Sequence, residues 1–124
     1  MFVITKKFRF EAAHKLPHHE GACKNLHGHS YVLEVSLVSE QLQDGGPAKG
    51  MMVDFGDLKS VVNPIVDRYD HCCLNDHFEN PTAEIMVRNI AEEIQKELGV
   101  PMEIYRVFKV RLYETVNSWA EWVE

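Results

Sequence analysis

The chain has 124 residues, 45% of them hydrophobic and 26% charged, the length and balance of one globular domain spanning 1–124. Thirteen Lys+Arg against 19 Asp+Glu give a formal net charge of −6, which argues against non-specific binding to nucleic acid or anionic membrane, since both favour a basic surface. The apolar runs fall far short of the ~20 residues a membrane-spanning helix needs, no signal-peptide pattern is visible, and three cysteines, two of them adjacent, make a poor disulfide framework; a cytoplasmic protein is expected.

Residues 2–13 read as a strand. Phe2, Ile4, Phe8, Phe10 and Ala12 share one parity, interrupted only by Lys6, while Thr5, Lys7, Arg9 and Glu11 share the other, the alternation of a half-buried antiparallel strand. A turn-rich, histidine-rich loop follows over about 15–28. Residues 31–38 repeat the alternation, with Tyr31, Leu33, Val35 and Leu37 on one face. Asp44 through Gly50 read as a connection. Asp54 then caps a helix running to about Arg68, with Leu58, Val61, Val62 and Ile65 on one side and Pro64 expected to kink it. A polar loop over 70–79 leads to Asn80-Pro81-Thr82, which opens a second helix. Its core stripe is Val87, Ile90, Ala91, Ile94 and Leu98, and Gly99 and Pro101 end it. Residues 102–114 are predicted as a third strand, with Ile104, Phe108, Val110 and Leu112 toward the core and Tyr105, Lys109 and Arg111 away from it. Residues 118–124 make a short fourth strand. The order ββααββ predicts an α+β domain with two helices on one face of a four-stranded antiparallel sheet. The other face, carrying Val32, Val38, Tyr105, Val107 and Tyr113, is apolar enough to predict coverage by another subunit.

Five of the seven histidines lie between His14 and His29. His27 and His29 are two apart, so extended backbone points both to one side. His29 shares the inward parity of Tyr31 and Leu33, and His14 continues that of the first strand. If these strands pair, three rings converge at one end of the sheet. Three neutral nitrogens suit a tetrahedral zinc whose fourth position stays open. A lone His-x-His more often marks a solvated loop or a satisfied core histidine; the parity of His14 raises this one above that reading. His18 and His19 read as loop residues near the mouth. Cys23 has three readings: a fourth ligand closing a structural site in a non-catalytic zinc-stabilised binding module, a thiolate beside the ion acting as base or nucleophile, or a buried structural cysteine. Spacing does not choose among them. Asp70-His71 can act as an oriented proton carrier, although such a pair is often only surface. Cys72 and Cys73 read as small apolar fillers. Glu114 shares parity with Val110 and Leu112, placing a carboxylate at the end of the core face. Buried, it needs donors, which the N–C–N edge of a pterin or guanine supplies in parallel; frayed, it is simply wet. Thr82 reads first as a helix cap and second as a ligand contact.

Several segments together resemble a known family. They are Phe10-Glu11-Ala12-Ala13-His14, Cys23 through Tyr31, Met52-Val53-Asp54-Phe55, Asp70-His71 with Leu74-Asn75, Asn80-Pro81-Thr82-Ala83-Glu84, and Glu114-Thr115. They occur in the order seen in the 6-pyruvoyltetrahydropterin synthase family, over essentially the whole chain. The Glu-Ala-Ala-His, Val-Asp-Phe and Asn-Pro-Thr-x-Glu versions look most like its bacterial branch, whose members make 6-carboxy-5,6,7,8-tetrahydropterin for queuosine (7-deazaguanine) biosynthesis. The resemblance implies the tunnelling (T-fold) architecture, with trimers stacked into a homohexamer and sites between subunits. It implies Zn2+ on His14, His27 and His29, Cys23 as catalytic base, Asp70 and His71 as the relay pair, Glu114 as the pterin anchor, and Thr82 and Glu84 in the supporting pterin-binding segment. The implied substrate is 7,8-dihydroneopterin triphosphate. The implied reaction is either cleavage to the 6-carboxy product or triphosphate elimination alone, which leaves a pyruvoyl side chain.

Overall fold

The computed structural model describes residues 1–124. The first strand, β1 (Phe2–His14), pairs antiparallel with β2 (His27–Ser39) along its whole length, from Phe2 opposite Ser39 to His14 opposite His27. Helix α1 (Phe55–Tyr69) follows, then the two-residue β3 (Cys72–Cys73), α2 (Ala83–Leu98), β4 (Arg106–Thr115) and β5 (Ser118–Val123). The sheet order is β3-β1-β2-β4-β5. The sheet therefore has five strands and is mixed, not four and antiparallel as predicted, because Cys72 and Cys73 pair parallel with Ala12 and Ala13. Nothing in a two-residue run carries the period-two signal that identifies a strand. No helix is long and apolar enough to cross a membrane.

Local chemistry sets both helices. The Asp54 side chain accepts from the Gly56 N–H at 2.6 Å and starts α1; the helix runs on through Pro64 as one element and buries Leu58, Val62, Ile65, Val66 and Tyr69. The Thr82 hydroxyl accepts from the Ile85 N–H at 3.2 Å and starts α2, while Gly99, left-handed at φ 64°, stops it. Both helices bury their apolar stripes on one face of the sheet, against Phe8, Phe10, Tyr31, Leu33, Val35, Leu37, Val110 and Leu112. Each large apolar side chain buried there contributes about 1.5–3 kcal/mol.

The third predicted strand is corrected in two places. It begins at Arg106, and Ile104 lies outside it, 54% exposed. A bulge pairs Ser36 with Lys109 but Leu37 with Val107, so Phe108 has no partner and the parity reverses before it. Val107, not Phe108, enters the core. The apolar second face predicted from the sequence shrinks accordingly. Val38 is already buried within the chain, and Tyr105 packs against the core. The outer face instead carries a charged ladder: Lys7 meets Glu34 at 3.5 Å, and Arg111 meets Glu121 at 2.9 Å with its guanidinium over the Trp119 ring.

Candidate metal centre

The β1–β2 register brings the three predicted ligands together. Ala12 lies opposite His29 and His14 opposite His27, so the rings of His14, His27 and His29 gather at one end of the sheet, with centroids 4.6–5.0 Å apart. One nitrogen from each lies within 4.8 Å of the others. Two of the remaining nitrogens are tied back to the chain. His14 Nδ1 meets the Pro81 carbonyl at 2.8 Å, and His27 Nδ1 meets the Asn25 carbonyl at 2.8 Å. A carbonyl only accepts, so each Nδ1 carries the proton and each Nε2 keeps a free lone pair. The Nε2 atoms of His14 and His29 are buried and have no hydrogen-bond partner. A buried polar atom without a partner is costly and rare, and two facing each other mark a place built for something that accepts lone pairs. A divalent cation with a taste for imidazole fits this donor set, and the carbonyl-backed Nδ1 atoms are the usual outer support of such ligands. Burial lowers the His29 pKa, with Glu114 opposing and the other two histidines reinforcing the shift; a neutral ring is the form that ligates.

The predicted residues around this cluster divide into those it gathers and those it does not. Glu114, half-buried near the end of β4, is close enough for its charge to act on His29 and Tyr31. Burial drives the Tyr31 phenol well above its ordinary pKa, and Glu114 adds to this; the Tyr31 hydroxyl lies 3.4 Å from His14 Nδ1. Glu114 and Glu84 also line one cavity of about 450 Å³ together with Ser118, Trp119, Ala120 and Glu121. Thr82 spends its acceptor on capping α2. Cys23 sits half-buried in a short 3-10 turn, Ala22–Lys24, and is not a member of the nitrogen cluster. That geometry does not close a Cys-His site.

Asp70 and His71 are not members of the nitrogen cluster; they lie against β1, directly before the short β3 that pairs with it. His71 Nδ1 lies 2.9 Å from Asp70 Oδ1, and that oxygen also accepts from the Glu11 N–H at 2.9 Å. This backbone bond is the main reason the Asp70 carboxyl is held below its ordinary pKa, with His71 contributing further. His71 has φ 56°, the left-handed region, and its own N–H donates to the Glu11 carbonyl at 2.5 Å. His71 lines a second cavity of about 500 Å³ together with Glu11, Ala13, Gly28 and the candidate ligand His29. Pro81, Asn25 and Glu11 could not be foreseen as backbone partners, because carbonyls and amides recur along the whole chain and only the fold selects among them.

A helix-backed sheet with a three-nitrogen cluster at one end defines an α+β domain of the tunnelling-fold type carrying a candidate metal centre. The sequence profile described as "6-pyruvoyl tetrahydropterin synthase" matches residues 3–124. A protein of Synechocystis sp. described as 6-carboxy-5,6,7,8-tetrahydropterin synthase is 42% identical over 98% of this chain and 93% of its own length. One of Haemophilus influenzae with the same description is 35% identical over the full length of both. The solved structure of Caenorhabditis elegans 6-pyruvoyl tetrahydropterin synthase superposes with a TM-score of 0.82 at 26% identity, covering 99% of this chain and 95% of that one. The chain belongs to the 6-pyruvoyl tetrahydropterin synthase family, a family of tetrahydropterin-synthesising enzymes.

Proposed function

We propose that this chain is a zinc-dependent carbon–carbon lyase. It converts 7,8-dihydroneopterin triphosphate and water to 6-carboxy-5,6,7,8-tetrahydropterin, acetaldehyde and triphosphate, a step of queuosine biosynthesis. The observation that carries this reading is the pair of buried, partnerless Nε2 atoms on His14 and His29 beside His27. The descriptions of the Synechocystis and Haemophilus relatives support the carboxy product.

His14, His27 and His29 hold the ion. Bound there, zinc supplies Lewis acidity that makes the C–H bonds beside the substrate's side-chain hydroxyls more acidic. Cys23 as thiolate takes a proton from such a carbon. His71, kept in orientation by the Asp70 carboxylate 2.9 Å away, exchanges protons with the substrate. Glu114 accepts the parallel N–H donors of the pterin edge and fixes the ring, with Thr82 and Glu84 beside it; this is a positioning contribution. Cys23 and the Asp70–His71 pair lie outside the nitrogen cluster, and the family resemblance supports a working site completed between subunits.

The family resemblance supports a cytoplasmic homohexamer built as a dimer of trimers, and the sheet edges are compatible with subunit pairing. Its β1 edge pairs with β3 only at Ala12 and Ala13, and β5 ends the sheet on the other side. The open part of β1 and the six-residue edge strand β5 leave unpaired backbone on both sides of one domain, which invites head-to-tail pairing between copies. The test is incubation with 7,8-dihydroneopterin triphosphate, with and without chelator, followed by mass spectrometry. Acetaldehyde and the 6-carboxy product, both suppressed by the chelator, are expected. A pyruvoyl product would replace this reading with simple elimination.

A further inference from the structure

Three consecutive residues at and just beyond the end of β1 each tie in a different segment of the chain that carries a candidate functional residue. The His14 ring meets the Pro81 carbonyl at 2.8 Å, which ties the strand to the segment that opens α2. The Leu16 N–H donates to the Cys23 carbonyl at 2.8 Å, which ties in the turn that carries the thiol. Between them, the backbone of Lys15 is gripped in both directions by one side chain. Its N–H donates to Asn75 Oδ1 at 2.9 Å, and its carbonyl accepts from Asn75 Nδ2 at 2.9 Å. A carboxamide offers a donor and an acceptor side by side, which an ionised carboxylate cannot. The bonds bridge 60 positions in sequence, so they are not the local turn-forming bonds that asparagine often makes.

Asn75 lies just beyond β3, in the turn Leu74–Asp76. The loop it ends is also held at its other end. The Glu11 N–H reaches Asp70, and the His71 N–H reaches the Glu11 carbonyl. Between these anchors His71 has a left-handed backbone, φ 56°. A non-glycine residue keeps that conformation only where the surroundings over-determine it. Glu11 fixes the loop on one side of His71, and Asn75 fixes it on the other.

We propose that Asn75 is a positioning residue: by pairing with both backbone groups of Lys15, its carboxamide holds the Asp70–His71 loop in fixed register with the strand that ends in the metal ligand His14. The inference rests on the reading above, in which His71 carries protons in the pterin reaction. It adds the residue that sets where His71 stands.

The test uses two variants of the full chain. Asn75→Ala removes both bonds. Asn75→Asp keeps the volume and the acceptor but turns an oxygen toward the Lys15 carbonyl. Amide hydrogen exchange of Lys15 and His71 is measured together with steady-state turnover and metal content. In both variants exchange at these two amides accelerates about tenfold or more, kcat falls by about 10- to 100-fold, KM moves less than about threefold, and the metal stays bound. Wild-type kcat and protection in Asn75→Asp would overturn the proposal, since packing alone would then account for the residue. A lowered melting temperature with unchanged kcat in either variant would overturn it too. If the wild type does not turn over the pterin triphosphate, the activity reading fails by itself; unchanged exchange at His71 in the variants is then what sinks the clamp.

Discussion

The nitrogen cluster and the Asp70–His71 pair present the same side chain in two opposite settings. His14 is 1% exposed, and its buried Nε2 has no hydrogen-bond partner. The His71 side chain is 79% exposed, and its Nδ1 is matched to a carboxylate. In the cluster, backbone carbonyls fix the protonated nitrogen and leave the other one bare. In the loop, a carboxylate held by the Glu11 N–H steadies the ring while its far side stays in contact with solvent. The first arrangement penalises a proton and welcomes a cation. The second leaves the rest of the ring open to solvent. What sets the two histidine environments apart is what their nitrogens face, not the neighbouring sequence.

The largest effect that tests this contrast is metal loss. His27→Ala removes one of three nitrogens and is expected to reduce bound zinc from about one per chain to near zero, with turnover lost; elemental analysis of the purified variant measures it. His71→Ala is expected to keep its zinc while losing about 10²–10⁴ in kcat, the ordinary worth of a positioned acid–base group. The comparison breaks if His71→Ala also sheds the metal, for then the two regions are one site.

The cluster was legible because strand parity is a strong constraint: a residue that shares parity with Tyr31 and Leu33 has one side to face, and the register of β1 against β2 then brings His14 opposite His27. The helices were legible for similar reasons, since Asp54, Thr82 and Gly99 are residues whose local chemistry starts or stops a helix whatever surrounds it. The bulge at Phe108 was not legible. It depends on how Ser36 and Leu37 pair with β4, and the alternating pattern reads equally well on either side of it. The single skipped partner moved Val107 into the core and, with it, much of the apolar face that had argued for a covering subunit. The case for assembly now rests on the family resemblance, with which the open strand edges are compatible. Asn75 was visible in the sequence as part of a motif, but its partner is the backbone of Lys15, which no side-chain pattern encodes.

The smallest effect concerns acid. The Asp70 carboxyl titrates below its ordinary value of 3.8, chiefly because it accepts the Glu11 N–H and secondarily because His71 is beside it. A carboxyl whose folded pKa is depressed stabilises the fold in full above its unfolded pKa, and that contribution is lost as pH falls through the lower folded value. Denaturation monitored across pH 2–5 should therefore have a shallower acid limb in Asp70→Asn than in the wild type. The difference should be small, because the group is on the surface. Above pH 5 the variant should keep its metal, since Asp70 does not touch the nitrogen cluster. Its turnover should still fall, because His71 loses the carboxylate that orients it. An acid limb identical to the wild type's would mean that the Glu11 bond does not hold the carboxylate in solution, and His71 would then have nothing fixed to lean on.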